Sequence, residues 1–161
     1  MSQVLEKIKS NEPGRYLTEE EYQQFLAESP HATNLVAAAK HAEQKEAEVV
    51  QRCIKAVLKK YEFRKVYEYG EEKCIRDAKA VYRYAVFAML CNDIEMLRNK
   101  LLYWMRLIIQ SFGFPGGNKS IEMTYQRLNS EAKRAMDPSH YELLEPYLTE
   151  CANILPAEEV G

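Results

Sequence analysis

Apolar residues recur at three- and four-residue intervals along almost the whole chain, the spacing that gathers them on one face of an α-helix. Gly and Pro, six of each, stand mostly between those stretches. A first helix fits about Gln3 to Ser10 and ends at the turn Asn11-Glu12-Pro13-Gly14. Thr18 and Glu21 have the spacing of a capping box, which starts a second helix towards Glu28. Ser29-Pro30 supplies an N-cap and a first-turn proline for a long helix reaching about Lys60. Its apolar stripe runs from Leu35 through Ala38, Ala42, Val49, Cys53 and Ile54 to Leu58, and its middle, His41 to Glu48, reads as mostly solvated surface.

Tyr61 to Gly70 is too rich in aromatic and β-branched residues for a helix and reads as a connecting segment. The helical pattern resumes at Glu71, and Tyr82 to Cys91 is apolar almost all round, as in a helix buried at the centre of a bundle. Asn92 ends it and Asp93 caps the next helix, read through Leu97, Leu101, Trp104, Leu107 and Ile108 to about Phe112. Gly113 to Asn118 forms a turn, Ser120 to Met136 another helix, and Asp137-Pro138 opens the last region, which Pro146 is expected to break or kink before Tyr147 to Leu155. Pro156 onward is tail. The expectation is an all-α chain of irregularly connected helices in an orthogonal, globin-like packing.

Composition narrows the function. A length of 161 residues suits one domain, with 47% hydrophobic and 29% charged residues in the range of globular chains. Twenty-two Lys and Arg against 24 Asp and Glu leave a net charge of −2, so no bulk attraction to nucleic acid or anionic lipid is expected. The longest apolar run, Tyr84 to Cys91, is far short of a bilayer span, and MSQVLEKIKS has no apolar core of a secretory leader. Cys53, Cys74, Cys91 and Cys151 are far apart and form no CxxC, which points to reduced thiols and away from zinc. His31, His41 and His140 are isolated in sequence and read as surface or capping residues, with none placed to ligate haem. Gly116-Gly117 lacks phosphate-loop spacing. No enzyme signature stands out.

One segment carries chemistry. At 100° per residue, Arg76, Lys73, Asp77 and Cys74 span an arc of about 160° at the start of the central helix. Two cations, an anion and a thiol share that side. The cations sit at the helix end that favours anions, a hint of an anionic partner.

Here the chain resembles the phycobiliproteins, the light-harvesting subunits of phycobilisomes. Gly70-Glu-Glu-Lys73-Cys74-Ile-Arg76-Asp77 reproduces the family's G-x-x-K-C-x-R-D segment. Gly14-Arg15-Tyr16-Leu17 is similar to its G/A-R-Y/F-L, Ser111-Phe112-Gly113-Phe114-Pro115 to its S-L-G-V-P turn, and Tyr147 to Leu155 to its closing helix, while Arg83 matches an arginine nine residues after the cysteine. The resemblance implies a globin-like domain with an added N-terminal helical hairpin: one domain over residues 1–161, with the hairpin at 1–28 and the core at 30–156. It implies a linear tetrapyrrole, a phycocyanobilin-type bilin, in thioether linkage to Cys74, with Asp77 bonded to the pyrrole N–H groups and Arg76 and Lys73 on the propionates.

Where the family carries two aromatics this chain has Ala80 and Val81, with Tyr82 and Tyr84 as partial replacements. The segment before Cys74 is shorter than in typical members. An aspartate that would pair with the partner subunit's arginine is replaced by Asn11, with Glu12 as its substitute, and Arg83 belongs to the same interface set. The resemblance thus implies a divergent, non-enzymatic light-harvesting subunit. Its expected partners are other such subunits, further copies of itself or linker proteins, with no nucleic acid. The expected location is cytoplasmic, on the phycobilisome at the thylakoid face and peripheral to the membrane at most. The alternative is a bilin-free interaction or regulatory protein acting on phycobilisomes.

Overall fold

Ser2 accepts a hydrogen bond from the Leu5 amide and so caps α1 (Gln3–Asn11), which turns Val4, Leu5 and Ile8 inward. The structure, a computed structural model, describes residues 2–61, 70–111 and 118–157. α2 (Glu19–Glu28) opens on a complete capping box: the Glu21 amide donates to Thr18 Oγ1 at 3.2 Å and the Thr18 amide to Glu21 Oε1 at 2.8 Å. The long helix starts later than the Ser29-Pro30 pair suggests. Ser29 makes no side-chain cap, and Pro30–Ala32 forms a 3₁₀ turn before α3 (Thr33–Lys60). Proline, with no N–H to give, is at home in that tighter turn.

α4 (Gly70–Cys91) buries an unbroken run from Ala85 to Cys91. Asn92 then takes a left-handed φ of 51°, and Asp93 accepts the Met96 amide at 3.0 Å to start the next helix. That helix is not uniform. α5 (Ile94–Leu97) passes through a π-helical turn, Arg98–Leu102, into α6 (Tyr103–Ser111). The extra residue in the wider turn rotates everything after it by one position. Leu97 and Leu101 are buried as the period requires, but Leu102, Met105 and Ile109 follow them inside, while Trp104 and Leu107 face water. α7 is Asn118–Ala135 and α8 is Pro138–Ile154, the latter capped by Asp137. Pro146 neither breaks nor divides α8. Pro146 and Glu142, whose carbonyl loses its partner to the proline, both lie on the solvent side, where water can serve that carbonyl.

Among the described residues there is no strand, and the architecture is the expected all-α, globin-like one. α3 packs on α4, α7 and α8, and α8 packs on α4 and α7. One apolar cluster draws on every helix, α1 and α2 included. Polar ties hold the hairpin down: Lys9 Nζ lies 2.6 Å from Asp93 Oδ2, and Lys100 Nζ donates to the Lys9 carbonyl at 2.9 Å. In the middle of α3, Glu46 is buried alongside Ala42 of the apolar stripe, the one departure there from a solvated surface. Two of the three histidines meet, with His41 Nδ1 2.9 Å from His140 Nδ1, because α3 and the start of α8 cross there. The connecting segment from Tyr61 and the Ser111 to Pro115 motif fall largely on residues outside the described ones.

Candidate functional site

The first turns of α4 present Cys74 and Asp77 one turn apart, and both face a small cleft completed by Ile109 of α6 and by Ser120, Ile121, Thr124 and Tyr125 of α7. Both side chains are half-buried, whereas Lys73 and Arg76 stand in solvent at the outer edge of the same arc. Arg76 Nε lies 3.4 Å from Asp77 Oδ1 and is the link between rim and cleft. Burial, reinforced by the negative charges of Asp77 and Glu71, pushes the Cys74 thiol up to about 11. Burial also raises the Asp77 carboxyl above its ordinary value, with Arg76 and Lys73 pulling the other way. At neutral pH the sulfur is therefore a protonated thiol.

Tyr125 is the residue that sequence reasoning missed. It follows Ile121 and precedes Leu128 at helical spacing, so periodicity alone marks it as core. The fold brings it beside Asp77 and Cys74, and burial first, then the Asp77 charge, raises its hydroxyl far above the usual range. Tyr82 lies elsewhere: it is fully buried, is not among the residues lining the cleft, and donates to the Ala42 carbonyl of α3 at 2.6 Å.

The residues expected at a subunit interface form a second group. Arg83 grips Glu46 with both arms, Nε to Oε1 at 2.5 Å and Nη2 to Oε2 at 3.0 Å, and its guanidinium lies 5.3 Å from the Tyr16 ring centre. Tyr16 adds its hydroxyl to Glu46 Oε1 at 2.8 Å. Burial would raise the Glu46 carboxyl, but the bonds from Arg83 and Tyr16 outweigh it and hold it below its ordinary value. Arg15 binds both Glu21 oxygens at 2.7 Å and Glu12 at 2.8 Å, and Glu21 is held down to about 2 chiefly by that bond. Asn11 and Glu12 lie on an open groove of about 740 Å³ between α1 and α2. Gly14 joins the groups: with φ at +87° it packs so tightly on the Tyr84 ring that a Cβ would overlap it. The Gly14 to Leu17 motif is thus a clamp on α4.

The arrangement defines an all-α, globin-like chain whose central helix offers one half-buried thiol and one half-buried carboxyl to the same cleft. The phycobilisome protein family model matches residues 7–155, and the chain belongs to that family. Members are light-harvesting pigment proteins that carry bilins and assemble into oligomers within phycobilisomes. No curated protein matches the chain. No helix is long and apolar enough to cross a membrane among the described residues.

The donor set suits a bilin: a thiol for a thioether, a carboxyl desolvated enough to reward N–H donors, and two solvated cations at the rim for carboxylates. The cleft itself holds about 30 Å³, room for a water molecule, whereas pockets that enclose small organic ligands run to roughly 300–1,000 Å³. The described residues alone do not enclose a ligand of that size. Residues 62–69 and 112–117, which adjoin α4 and α7 in sequence, lie outside the described ones.

Proposed function

We propose that this chain is a divergent phycobilisome subunit that holds a linear tetrapyrrole, of the phycocyanobilin type, at Cys74 and takes part in absorbing light and passing excitation on. The observation that carries the reading is the placement of the Cys74 thiol and the Asp77 carboxyl on one cleft. When bound, such a group supplies the conjugated system that absorbs visible light. Cys74 holds it by a thioether; because burial keeps the thiol protonated, the linkage needs a base or a dedicated attachment enzyme to take up the sulfur's proton. Asp77 accepts N–H donors, and doing so brings its carboxyl back towards the ionised form. Arg76 and Lys73, free of burial, orient carboxylates at the rim, and Tyr125 forms part of the cleft's inner wall.

In this reading the chain is one domain whose hairpin groove, bearing Asn11 and Glu12, meets other phycobiliprotein-like subunits or a second copy, with linker proteins completing the assembly. Arg83 contributes there by holding Tyr16 and Glu46 in place. The assembly sits at the cytoplasmic face of the thylakoid.

Co-expression with a bilin-synthesising pathway and attachment enzymes tests the proposal. The expected outcome is visible absorbance and a zinc-enhanced fluorescent band on a denaturing gel, both lost in Cys74→Ala. A colourless product that still joins phycobilisomes, with wild-type and Cys74→Ala chains behaving alike, replaces pigment binding with a purely docking role.

A further inference from the structure

A groove of about 330 Å³ between α3 and α7 is lined by Arg52, Lys55, Lys59, Arg127 and Arg134, with Ala56 and Glu131 completing it. Five cations meet there in a chain whose net charge is −2. Among the described residues, acids answer only part of that charge: Glu48 lies 3.2 Å from Arg52, and Glu131 lies 3.9 Å from Arg127. Lys55, Lys59 and Arg134 have no ion pair among the described residues. Helix ends explain some of the clustering, since Lys59 and Arg134 fall in the last turns of α3 and α7. They do not explain Arg52, Lys55 and Arg127, which stand one to three turns earlier.

Glu131 decides what the groove is for. Its side chain is 8% exposed, and its Oε2 is buried with no hydrogen-bond donor. A ligand matched to this site brings negative groups for the cations and an N–H for that orphan oxygen. The phosphodiester backbone of DNA offers acceptors alone, and none of the described residues lining the groove is an aromatic on which a base could stack. A polypeptide segment rich in Asp and Glu offers both, carboxylates on its side chains and N–H donors on its backbone. From Arg52 to Lys59 the α3 row spans about 10 Å, a length that three or four residues of extended chain cover. We infer that the α3–α7 groove docks an acidic polypeptide segment of a partner protein, at a site separate from the Cys74 cleft.

The test is fluorescence anisotropy with a fluorescein-labelled octaglutamate peptide, an octalysine peptide and an oligothymidylate of eight nucleotides, each titrated with the full chain at low and moderate salt. Saturable binding of the glutamate peptide is expected, weakening by about tenfold or more as salt screens the contacts. The Lys55→Glu/Lys59→Glu variant, altered only at exposed positions, should lose at least about tenfold of that binding, while Lys7→Glu on α1 should not. Circular dichroism confirms that the variants fold. Absence of saturable glutamate-peptide binding, equal binding by the groove variant, or tighter binding of the oligonucleotide than of the peptide overturns the inference. Because Cys74→Ala leaves the groove intact, the same titration on that variant separates this docking from pigment attachment.

Discussion

Gly14 sits at φ +87° against Tyr84, and both facts forbid a side chain there. Gly14→Ala is expected to cost about 2–3 kcal/mol in urea unfolding, from left-handed strain plus displacement of the ring. Arg83→Ala leaves the buried Glu46 carboxylate with the Tyr16 hydroxyl alone, a loss of about 1–3 kcal/mol. Combining it with Glu46→Gln should cost less than the sum of the two, since both remove one interaction. Among the thiols, Cys53 and Cys91 are buried and pushed up to about 12, and Cys151 is buried too, so Cys74 is the accessible one. Brief iodoacetamide treatment of the native chain, read by peptide mass, should label Cys74 and reach the others only after unfolding. His41 is held below its ordinary value by burial, by His140 and by Lys45, against Asp137. Its neutral form is therefore the one the fold favours: this contribution is complete above the unfolded-state value and is lost as pH falls through the lower folded-state one. Unfolding free energy should drop between about pH 7.5 and pH 5, and His41→Gln should flatten that drop. Glu43 and Asp77, raised by burial, act in the opposite sense, so the two proteins are compared at each pH.

At the scale of elements, the caps were legible because their chemistry is local: Thr18 with Glu21, Asp93 and Asp137 all bond as their spacing implies. The π turn was not, because a periodicity argument assumes a constant 3.6 residues per turn and one extra residue defeats it. It explains why Trp104, read as part of the buried face, lies outside. Deleting Asn99 from the wide turn should restore an ordinary helix and leave the chain folded. Deleting Leu107 instead would turn Ile109 out of the core and should lower the unfolding midpoint far more. Pro146 misled for a different reason: its cost is real, but its side of α8 is wet. Pro146→Ala should gain about 1–2 kcal/mol by restoring the N–H to Glu142, measurable as a higher denaturation midpoint.

Across the whole molecule, the sequence placed four chemical groups on one arc of α4, and the fold divided them. Packing of α6 and α7 covers the Cys74 and Asp77 side and leaves Lys73 and Arg76 in water. Neither Tyr125 at the cleft nor the buried bond of Tyr82 to α3 could be read from α4 alone, since each depends on which helix lies opposite. The meeting of His41 with His140 and the convergence of basic residues from α3 and α7 are likewise products of tertiary packing.

The register slip in the π turn leaves the chain with a built-in optical probe. Its single tryptophan, Trp104, is 61% exposed, with Tyr103 and Leu107 beside it. Intrinsic emission should therefore resemble that of indole in water even in the native state, and change little on unfolding. Any companion molecule that settles over α6 will announce itself by a shift to shorter wavelength and by shielding from acrylamide, without a label being added.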